Sequence, residues 1–179
     1  AFVVVDPGEV AELRRGEARH AFRREVQLAQ LVFRRSLDLE YFRFLHLWLF
    51  QDVYDWAGEI RSIPINKDGS EFAQPRFIED EARRIFAELQ RERGLTETDA
   101  DRLPDRLAYY LGELNALHPF REGNRRVQRL FLRHVVEPRG LTLSWRTVSP
   151  EEMISVSVAA HAGDDAPARR LFKRITEPM

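Results

Sequence analysis

The pattern of hydrophobic and polar positions predicts helices along most of the chain. Residues 38–53 are apolar on nearly every side, which is typical of a helix buried in a core. After Pro75 and again after Pro104, apolar residues recur three and four positions apart, as in helices that bury one face. Residues 1–35 are richer in charge, and Pro7 has the form of a helix start. We therefore expect a surface-exposed helical extension there.

The segment from residue 60 to residue 72 departs from the helical period. A short strand-like run ends at Ile65, Asp68-Gly69 is a turn signal, and Phe72 follows on the return limb. We interpret this segment as the only β-hairpin of the chain. The predicted fold is therefore mainly α with one short hairpin.

Length and composition limit the classes of function. The length fits one domain, residues 1–179. The 28 Lys and Arg residues nearly balance the 29 Asp and Glu residues, so no overall field favours nucleic acid or an acidic membrane. The absence of cysteine excludes a disulfide scaffold and a thiol nucleophile. No secretory signal or membrane-length apolar stretch stands out, so we expect a soluble, cytoplasmic protein.

Charge is strongly uneven in one segment, residues 121–133, which we expect to open as a loop between two core helices. Its arginines are Arg121, Arg125, Arg126, Arg129 and Arg133, against the single acid Glu122. Gly123 and Asn124 at a helix start can offer backbone N–H groups to phosphate, and arginines add paired donors. Glu122 has the character of a Mg²⁺ ligand, and nearby His118 can accept a hydroxyl proton at neutral pH. A site for a nucleotide polyphosphate is implied.

These residues resemble the Fic motif, His-x-Phe-x-(Asp/Glu)-Gly-Asn-Gly-Arg-x-x-Arg. Beginning at His118, the chain matches every specified position except Arg125, where the family has glycine. Residues 50–61 resemble the segment that leads into the family's target-binding hairpin, and residues 109–117 resemble the helix before the motif. The resemblance covers about residues 38–160 and implies a Fic-type helical bundle.

The resemblance implies a protein adenylyltransferase that moves AMP from ATP, with Mg²⁺, to a Ser, Thr or Tyr hydroxyl of a target protein. His118 would be the general base, Phe120 would anchor the loop in the core, and Glu122 would bind Mg²⁺. The nucleotide contacts would come from Gly123, Asn124, Arg125, Arg126 and Arg129. In the family such enzymes include the toxins of toxin-antitoxin pairs and effectors that act in a host cytosol.

The hairpin would bind the target protein by adding an extended target segment to its edge. The residues predicted for this flap are Arg61, Ser62, Ile63, Pro64, Ile65 and Phe72. Pro64 removes one backbone donor from that edge.

Many Fic proteins are inhibited by a helix with Ser/Thr-x-x-x-Glu-Gly/Asn, which this chain does not match. We therefore hypothesise a separate small antitoxin that carries the inhibitory helix.

Arg125 leaves three alternatives open for the reaction. A long cation in a phosphate hole can block the α-phosphate or supply a contact that moves the nucleotide. The related Doc group has lysine at this position, and its members resemble phosphotransferases that bind ATP reversed and pass on the γ-phosphoryl group. Gly123 keeps the glycine of the AMP-transferring type, where Doc has alanine, so AMP transfer is favoured. The alternatives are a Doc-like phosphotransferase and a catalytically silent Fic-fold binding module.

Histidines outside the motif are interpreted as structural. His46 lies inside the most apolar predicted helix and is expected to be a hydrogen-bonded core residue. His20, His134 and His161 have no neighbour at a metal-ligand spacing.

Overall fold

Most of the described chain is helical. The computed structural model describes residues 7–30, 36–67 and 70–179. Its helices within these ranges are α1 (Pro7–Ala29), α2 (Leu39–Phe50), α3 (Ile78–Arg91), α4 (Leu103–Leu117), α5 (Asn124–Val136), α6 (Pro150–His161) and α7 (Ala166–Ile175). Short 3-10 turns lie at Pro75–Phe77, Arg93–Leu95, Glu137–Arg139 and Trp145–Thr147. The prediction of a mainly α fold is confirmed.

Within the described ranges, two small antiparallel sheets accompany the helices. The paired strands are β1 (Asn66–Lys67) with β2 (Ser70–Glu71), and β3 (Leu141–Leu143) with β4 (Thr176–Pro178). The predicted hairpin is present but short, since no ladder forms within the described residues 60–65. Its turn at Asp68-Gly69 lies outside the described residues.

A second sheet, which is not a hairpin, lies beyond the prediction. The second sheet, β3 with β4, joins segments that are separated along the chain by α6 and α7. Three-residue strands are too short to produce a readable alternation, and a long-range pairing carries no turn signal. The sequence pattern therefore gives no indication of this sheet.

The centre of the core is formed by α2, α4 and α5. Phe42 of α2 lies edge-on to Phe131 of α5 with ring centroids 5.3 Å apart, and Phe86 of α3 packs against both rings. α4 packs against α5, α6 and α7. The two helices on either side of the polar segment 118–123 are thus fixed by core packing, and they hold that segment between them.

The N-terminal helix α1 is docked on α2. Ala21 and Leu28 are buried, and the indole N–H of Trp48 donates to the carbonyl of Arg24 over 2.9 Å. The expected surface-exposed helix is therefore present, with most of its described side chains exposed and with Ala21 and Leu28 as its buried contacts. Residues 31–35 lie outside the described residues.

Helix starts follow local sequence signals. The hydroxyl of Ser149 accepts from the Glu152 N–H over 3.1 Å at the start of α6, as its capping signature predicts. Asp38 caps α2 in the same way through the N–H of Tyr41. Among the described residues, no helix is long and apolar enough to cross a membrane.

Candidate active site

His118 ends α4 and begins the loop that carries the motif. Its backbone is left-handed, with φ 42° and ψ 60°, and its N–H donates to the carbonyl of Leu114 over 3.1 Å. This conformation is uncommon for a residue with a side chain and persists only when its surroundings hold it. The imidazole is 6% exposed and stacks on the ring of Phe72, with centroids 3.9 Å apart. The structure therefore gives His118 a single defined position.

The side chain of Asn124 closes the loop. Its Oδ1 accepts from the N–H of Phe120 over 3.0 Å, and its Nδ2 donates to the carbonyl of Phe120 over 2.7 Å. Asn124 is buried, so these two bonds satisfy polar groups that water cannot reach. The predicted nucleotide contact at Asn124 is thereby restricted to its backbone N–H at the start of α5, because the side chain is used within the loop.

Phe120 and His46 fix the loop on the side that faces the core. Phe120 is fully buried, as its predicted anchoring role requires, and it stacks on His46 with centroids 3.9 Å apart. The Nδ1 atom of His46 accepts from the N–H of Gly58 over 2.8 Å, so Nε2 carries the proton that is donated to the Glu122 carbonyl over 3.0 Å. Burial lowers the pKa of His46 to about 4, which keeps it neutral. The structural role predicted for His46 is confirmed.

Gly123 is a position that only glycine satisfies. Its φ of 80° lies in the left-handed region, and a Cβ atom there would lie 2.4 Å from Cε2 of Phe50. The backbone therefore approaches the Phe50 ring closely at the point where α5 begins. This approach leaves the first N–H groups of α5 without a side chain of residue 123 in front of them.

The loop and the start of α5 border a cavity of about 530 Å³. The charged and titratable side chains that line it are Glu17, His118, Glu122, Arg125, Arg126, Arg129 and His161. Its opposite wall is mostly apolar and comes from Phe72, Val148, Pro150, Met153, Ile154 and Val158. A cavity of this size, with one polar and one apolar side, is suited to a ligand of nucleotide size.

Arg129 is a partly buried cation of this cavity. Burial lowers its pKa, and the neighbouring positive charge of Arg126 lowers it further. Its guanidinium lies 5.9 Å from the ring centroid of Trp145, and no carboxylate of the described residues forms an ion pair with it. The charge of Glu25 opposes part of this lowering of the pKa. A desolvated guanidinium without an ion-paired carboxylate favours an anionic ligand.

Arg126 is held by a residue from the N-terminal helix. It forms an ion pair with Glu17, whose second carboxylate oxygen accepts from the hydroxyl of Tyr54 over 2.6 Å. The guanidinium also lies 5.9 Å from the centroid of Phe50. Sequence reasoning missed Glu17, because it sits in a charged helix far along the chain from the motif. No local signal distinguishes it from the other acids of α1.

Glu122 and Arg125 both line the cavity from exposed positions. Arg125 is the second residue of α5, immediately beside the helix start. The backbone carbonyl of Glu122 is bonded to His46, and its exposed side chain lines the cavity. In the part of the chain that the structure describes, no group of three or more His, Cys, Asp or Glu residues could hold a metal ion alone. Metal binding at Glu122 thus requires further ligands, such as phosphate oxygens.

The flap residues do not all face outward. Ser62, Ile63 and Pro64 are exposed, and Ile65 is half-buried. Arg61, predicted as a flap residue, is 2% exposed, and its guanidinium donates to backbone carbonyls within the protein. A buried arginine bonded to backbone carbonyls has no signature in a hydrophobicity pattern, so the sequence could not distinguish it from its exposed neighbours.

Both limbs of the flap are bonded to the loop region. The N–H of Arg61 donates to the carbonyl of Pro119 over 2.9 Å, and the N–H of Ala73 donates to the carbonyl of Ala116 over 3.0 Å. Phe72, predicted as a flap residue, lies on His118. The flap and the motif loop are therefore adjacent parts of one site.

Fold and site together define a helical protein with a cationic, nucleotide-sized cavity beside a buried histidine. The Fic/DOC family profile matches residues 36–136, more than half of the chain. This chain therefore belongs to the Fic/DOC family.

Two relatives illustrate the similarity. Protein adenylyltransferase VbhT of Bartonella schoenbuchensis is 38% identical over 164 residues, which are 92% of this chain and 34% of VbhT. The probable protein adenylyltransferase y4lH of Sinorhizobium fredii is 37% identical over 141 residues, which are 78% of this chain and 73% of that protein. The chain thus spans about a third of the length of VbhT.

A solved structure agrees with the fold. BepC, a VirB-translocated effector protein of Bartonella tribocorum crystallised with AMPPNP, superimposes with a TM-score of 0.86. The identity is 22%, over 97% of this chain and 89% of the BepC chain. At that identity the likeness shows the fold alone, and it confirms the expected Fic-type bundle.

Proposed function

We propose that this chain transfers AMP from ATP to a serine, threonine or tyrosine hydroxyl of a target protein. The observation that carries the proposal is the position of His118 beside a cavity that also receives Arg125, Arg126 and Arg129. Guanidinium groups near a helix start match the phosphates of a nucleotide in charge and in donor geometry. The names of VbhT and y4lH as protein adenylyltransferases support the same reaction.

The reaction needs a base at the target hydroxyl, and His118 supplies it. The imidazole accepts the hydroxyl proton as the hydroxyl oxygen forms a bond to the α-phosphorus of ATP. The bond from that phosphorus to the oxygen shared with the β-phosphate breaks, and pyrophosphate leaves. Arg126 and Arg129 hold the outer phosphates, and the N–H groups at the start of α5 face the inner ones.

Glu122 is the residue that would hold Mg²⁺. Its carboxylate lines the cavity close to the cations expected to bind phosphate, and Mg²⁺ commonly takes one or two carboxylates together with phosphate oxygens. Bound there, the ion would neutralise phosphate charge. Because Glu122 alone cannot complete a coordination shell, we expect the ion to bind together with ATP.

Arg125 separates this reaction from two alternatives. Its exposed side chain at the second position of α5 can turn away from the helix start, which favours AMP transfer. A Doc-like phosphotransferase would instead require ATP to bind reversed, with its γ-phosphorus nearest His118. A silent binding module would result if the Arg125 guanidinium itself occupied the α-phosphate position.

The exposed part of the flap, Ser62 to Pro64, is where the target protein would dock. Strand addition uses backbone groups, so the flap can accept targets of different sequence.

The reaction needs ATP and a protein target in the same compartment. We therefore assign it to a cytosol, that of the producing cell or of a host cell.

A second cavity of about 320 Å³ between α1 and α5 offers a place for an antitoxin helix. Phe22 is an exposed apolar side chain there, and Arg129, Arg133 and Arg146 line the same cavity. A partner helix with one apolar stripe and acidic side chains would complement it. This partner is supported if a small acidic protein co-purifies with the wild-type chain and binds an Arg146→Glu variant more weakly. Full activity in the host without any such protein contradicts it.

The test of the reaction uses ATP labelled on either the α- or the γ-phosphate, with host lysate as the source of target. Wild-type protein should transfer the α-label, and His118→Ala should lower that transfer by about 10²- to 10⁴-fold, the range for loss of a general base. His20→Ala, which removes an exposed histidine of α1, is the matched control and should transfer normally.

The same labels separate the alternatives. Transfer of the γ-label alone would identify a phosphotransferase and contradict AMP transfer. If neither label is transferred but Arg125→Gly transfers the α-label, the chain is a silent member of the family. Calorimetry with ATP and Mg²⁺ then shows whether the silent protein still binds nucleotide.

A further inference from the structure

Arg61 is a buried arginine whose guanidinium donates to three backbone carbonyls. Its Nε donates to the carbonyl of His118 over 2.8 Å, its Nη1 to that of Ile63 over 2.8 Å, and its Nη2 to that of Ala73 over 2.6 Å. Within the described residues, no carboxylate pairs with it, and burial lowers its pKa. The charge is therefore satisfied by carbonyl dipoles alone.

We propose that Arg61 is a positioning residue that couples the target-docking flap to His118. The inference rests on the proposed function in one respect, the role of His118 as base. It goes beyond that function by naming the side chain through which target docking and the position of the base are linked.

The bond to the His118 carbonyl acts on a strained part of the backbone. His118 adopts a left-handed conformation that a residue with a side chain rarely holds without support. The carbonyl that follows this conformation accepts a charge-assisted hydrogen bond from Nε of Arg61, which is stronger than a neutral one. Arg61 thus selects the backbone conformation that points the imidazole at Phe72 and the cavity.

The other two bonds act on the two limbs of the flap. Ile63 belongs to the outgoing limb and Ala73 to the returning limb, so one planar guanidinium holds both in a fixed relation. A target segment paired with the flap would order the same limbs. Because the guanidinium is rigid and its donors have fixed directions, displacement of either limb changes its bond to His118.

A second arginine provides a matched comparison. Nη1 of Arg139 donates to the carbonyls of Leu95 and Thr98, over 2.7 and 2.6 Å. Arg139 therefore also joins backbone segments through carbonyls, but it does not line the nucleotide cavity, and within the described residues neither of these hydrogen bonds goes to the flap or to His118. Replacement of Arg139 shows what the loss of a purely structural brace of this kind does.

The test compares Arg61→Ala, Arg61→Lys and Arg139→Ala by nuclear magnetic resonance, hydrogen exchange and calorimetry. In Arg61→Ala we expect shifted imidazole resonances of His118 and about tenfold faster exchange of the Ala73 N–H, the scale of one lost charge-assisted hydrogen bond. The affinity for ATP with Mg²⁺ should change by less than about twofold, since Arg61 does not line that cavity. In Arg139→Ala the His118 and Ala73 signals should stay as in the wild type.

Chemical rescue separates positioning from simple stabilisation. Guanidinium at millimolar concentration should return the His118 resonances of Arg61→Ala toward their wild-type positions, whereas methylammonium should not, because it lacks the planar donor set. Arg61→Lys, which keeps the charge and the bulk, should fold even if Arg61→Ala does not, and should show the same shifts in smaller measure.

The inference is overturned if folded Arg61→Lys or Arg61→Ala leaves the His118 and Ala73 signals unchanged, or if Arg139→Ala changes them equally. None of these readouts depends on AMP transfer. A wild-type protein that transfers no label but shows the expected responses would contradict the proposed function and leave the coupling intact.

Discussion

The motif loop, residues 118–124, and the flap, residues 61–73, are neighbours that are built in opposite ways. In the loop, buried side chains bond to backbone groups at Phe120 and Glu122, and aromatic rings pack beneath. In the flap, two of the described residues of each limb form a ladder, and Ile63 is 52% exposed. The loop is fixed from within the protein, whereas the outer flap offers its backbone to solvent.

The difference agrees with the ligand that we propose for each region. Phosphate groups of a small ligand require hydrogen-bond donors at fixed positions. Ordering these donors costs conformational entropy, which core packing offsets during folding, before the ligand binds. A docked peptide brings its own backbone donors and acceptors, so the edge that receives it needs unpaired groups. Four changes test the contrast between loop and flap.

The largest effect should come from the buried histidine beneath the loop. The pKa of His46 is about 4 in the folded protein, below its reference value of about 6.5, so the unfolded chain binds the proton more readily. Its contribution to stability is therefore complete above about pH 7 and falls by about 3 kcal/mol as the pH drops to 4. Urea unfolding between pH 4 and 7 measures this loss in the free energy of unfolding.

A His46→Gln variant should lack this part of the pH dependence while keeping the rest. If wild type and variant lose stability in parallel between pH 7 and 4, the loop does not depend on a neutral His46.

The next effect concerns the amide that closes the loop. Asn124→Ala leaves the buried N–H and carbonyl of Phe120 without their partner, and we expect a loss of about 2 kcal/mol in the free energy of unfolding. Asn66→Ala, at an exposed flap position, is the control and should change the free energy by less than about 0.5 kcal/mol. Equal losses in the two variants would remove the contrast between loop and flap.

A smaller effect should arise where α1 supports the loop. Glu17→Gln removes the charge that pairs with Arg126 while keeping the volume, and should cost about 1 kcal/mol. Glu25→Gln breaks a more exposed pair with Arg133 on the same helix and should cost less. Thermal unfolding of both variants at low and high salt tests this order. A larger loss in Glu25→Gln would mean that Glu17 does not support the site.

The smallest effect on stability belongs to the flap. Ile63→Ala removes an exposed apolar side chain and should change the free energy of unfolding by less than about 0.5 kcal/mol. It should nevertheless lower label transfer to targets by several-fold at low target concentration. Leu47→Ala, with similar exposure on α2, should leave transfer unchanged. A loss of stability in Ile63→Ala without any loss of transfer would mean that Ile63 supports the fold rather than the target.

Much of the fold could be predicted because its signals are local. The starts of α1 and α6 follow Pro7 and Ser149, and the motif identifies the loop because its fixed positions lie within a dozen residues. The core role of His46 followed from the apolar helix around it. In each case the information sits in neighbouring residues, where helical period and capping chemistry are readable.

The parts that could not be predicted depend on contacts between distant segments. Glu17 reaches Arg126 only because α1 docks on α2, and Arg61 turns inward only because the carbonyls of both flap limbs converge on it. The pairing of β3 with β4 likewise arises from the placement of α7. The hydrophobic period, the composition and the motif carry no information about which distant segments come into contact.

The close approach of Gly123 to Phe50 has an evolutionary consequence. An alanine at position 123 would place its methyl group inside the volume of the Phe50 ring. A side chain at position 123 therefore requires a shift of the Phe50 ring or of the loop, or a smaller residue at position 50 of α2. The motif loop and a core helix distant in sequence are thus coupled, and we expect substitutions at positions 123 and 50 to occur together.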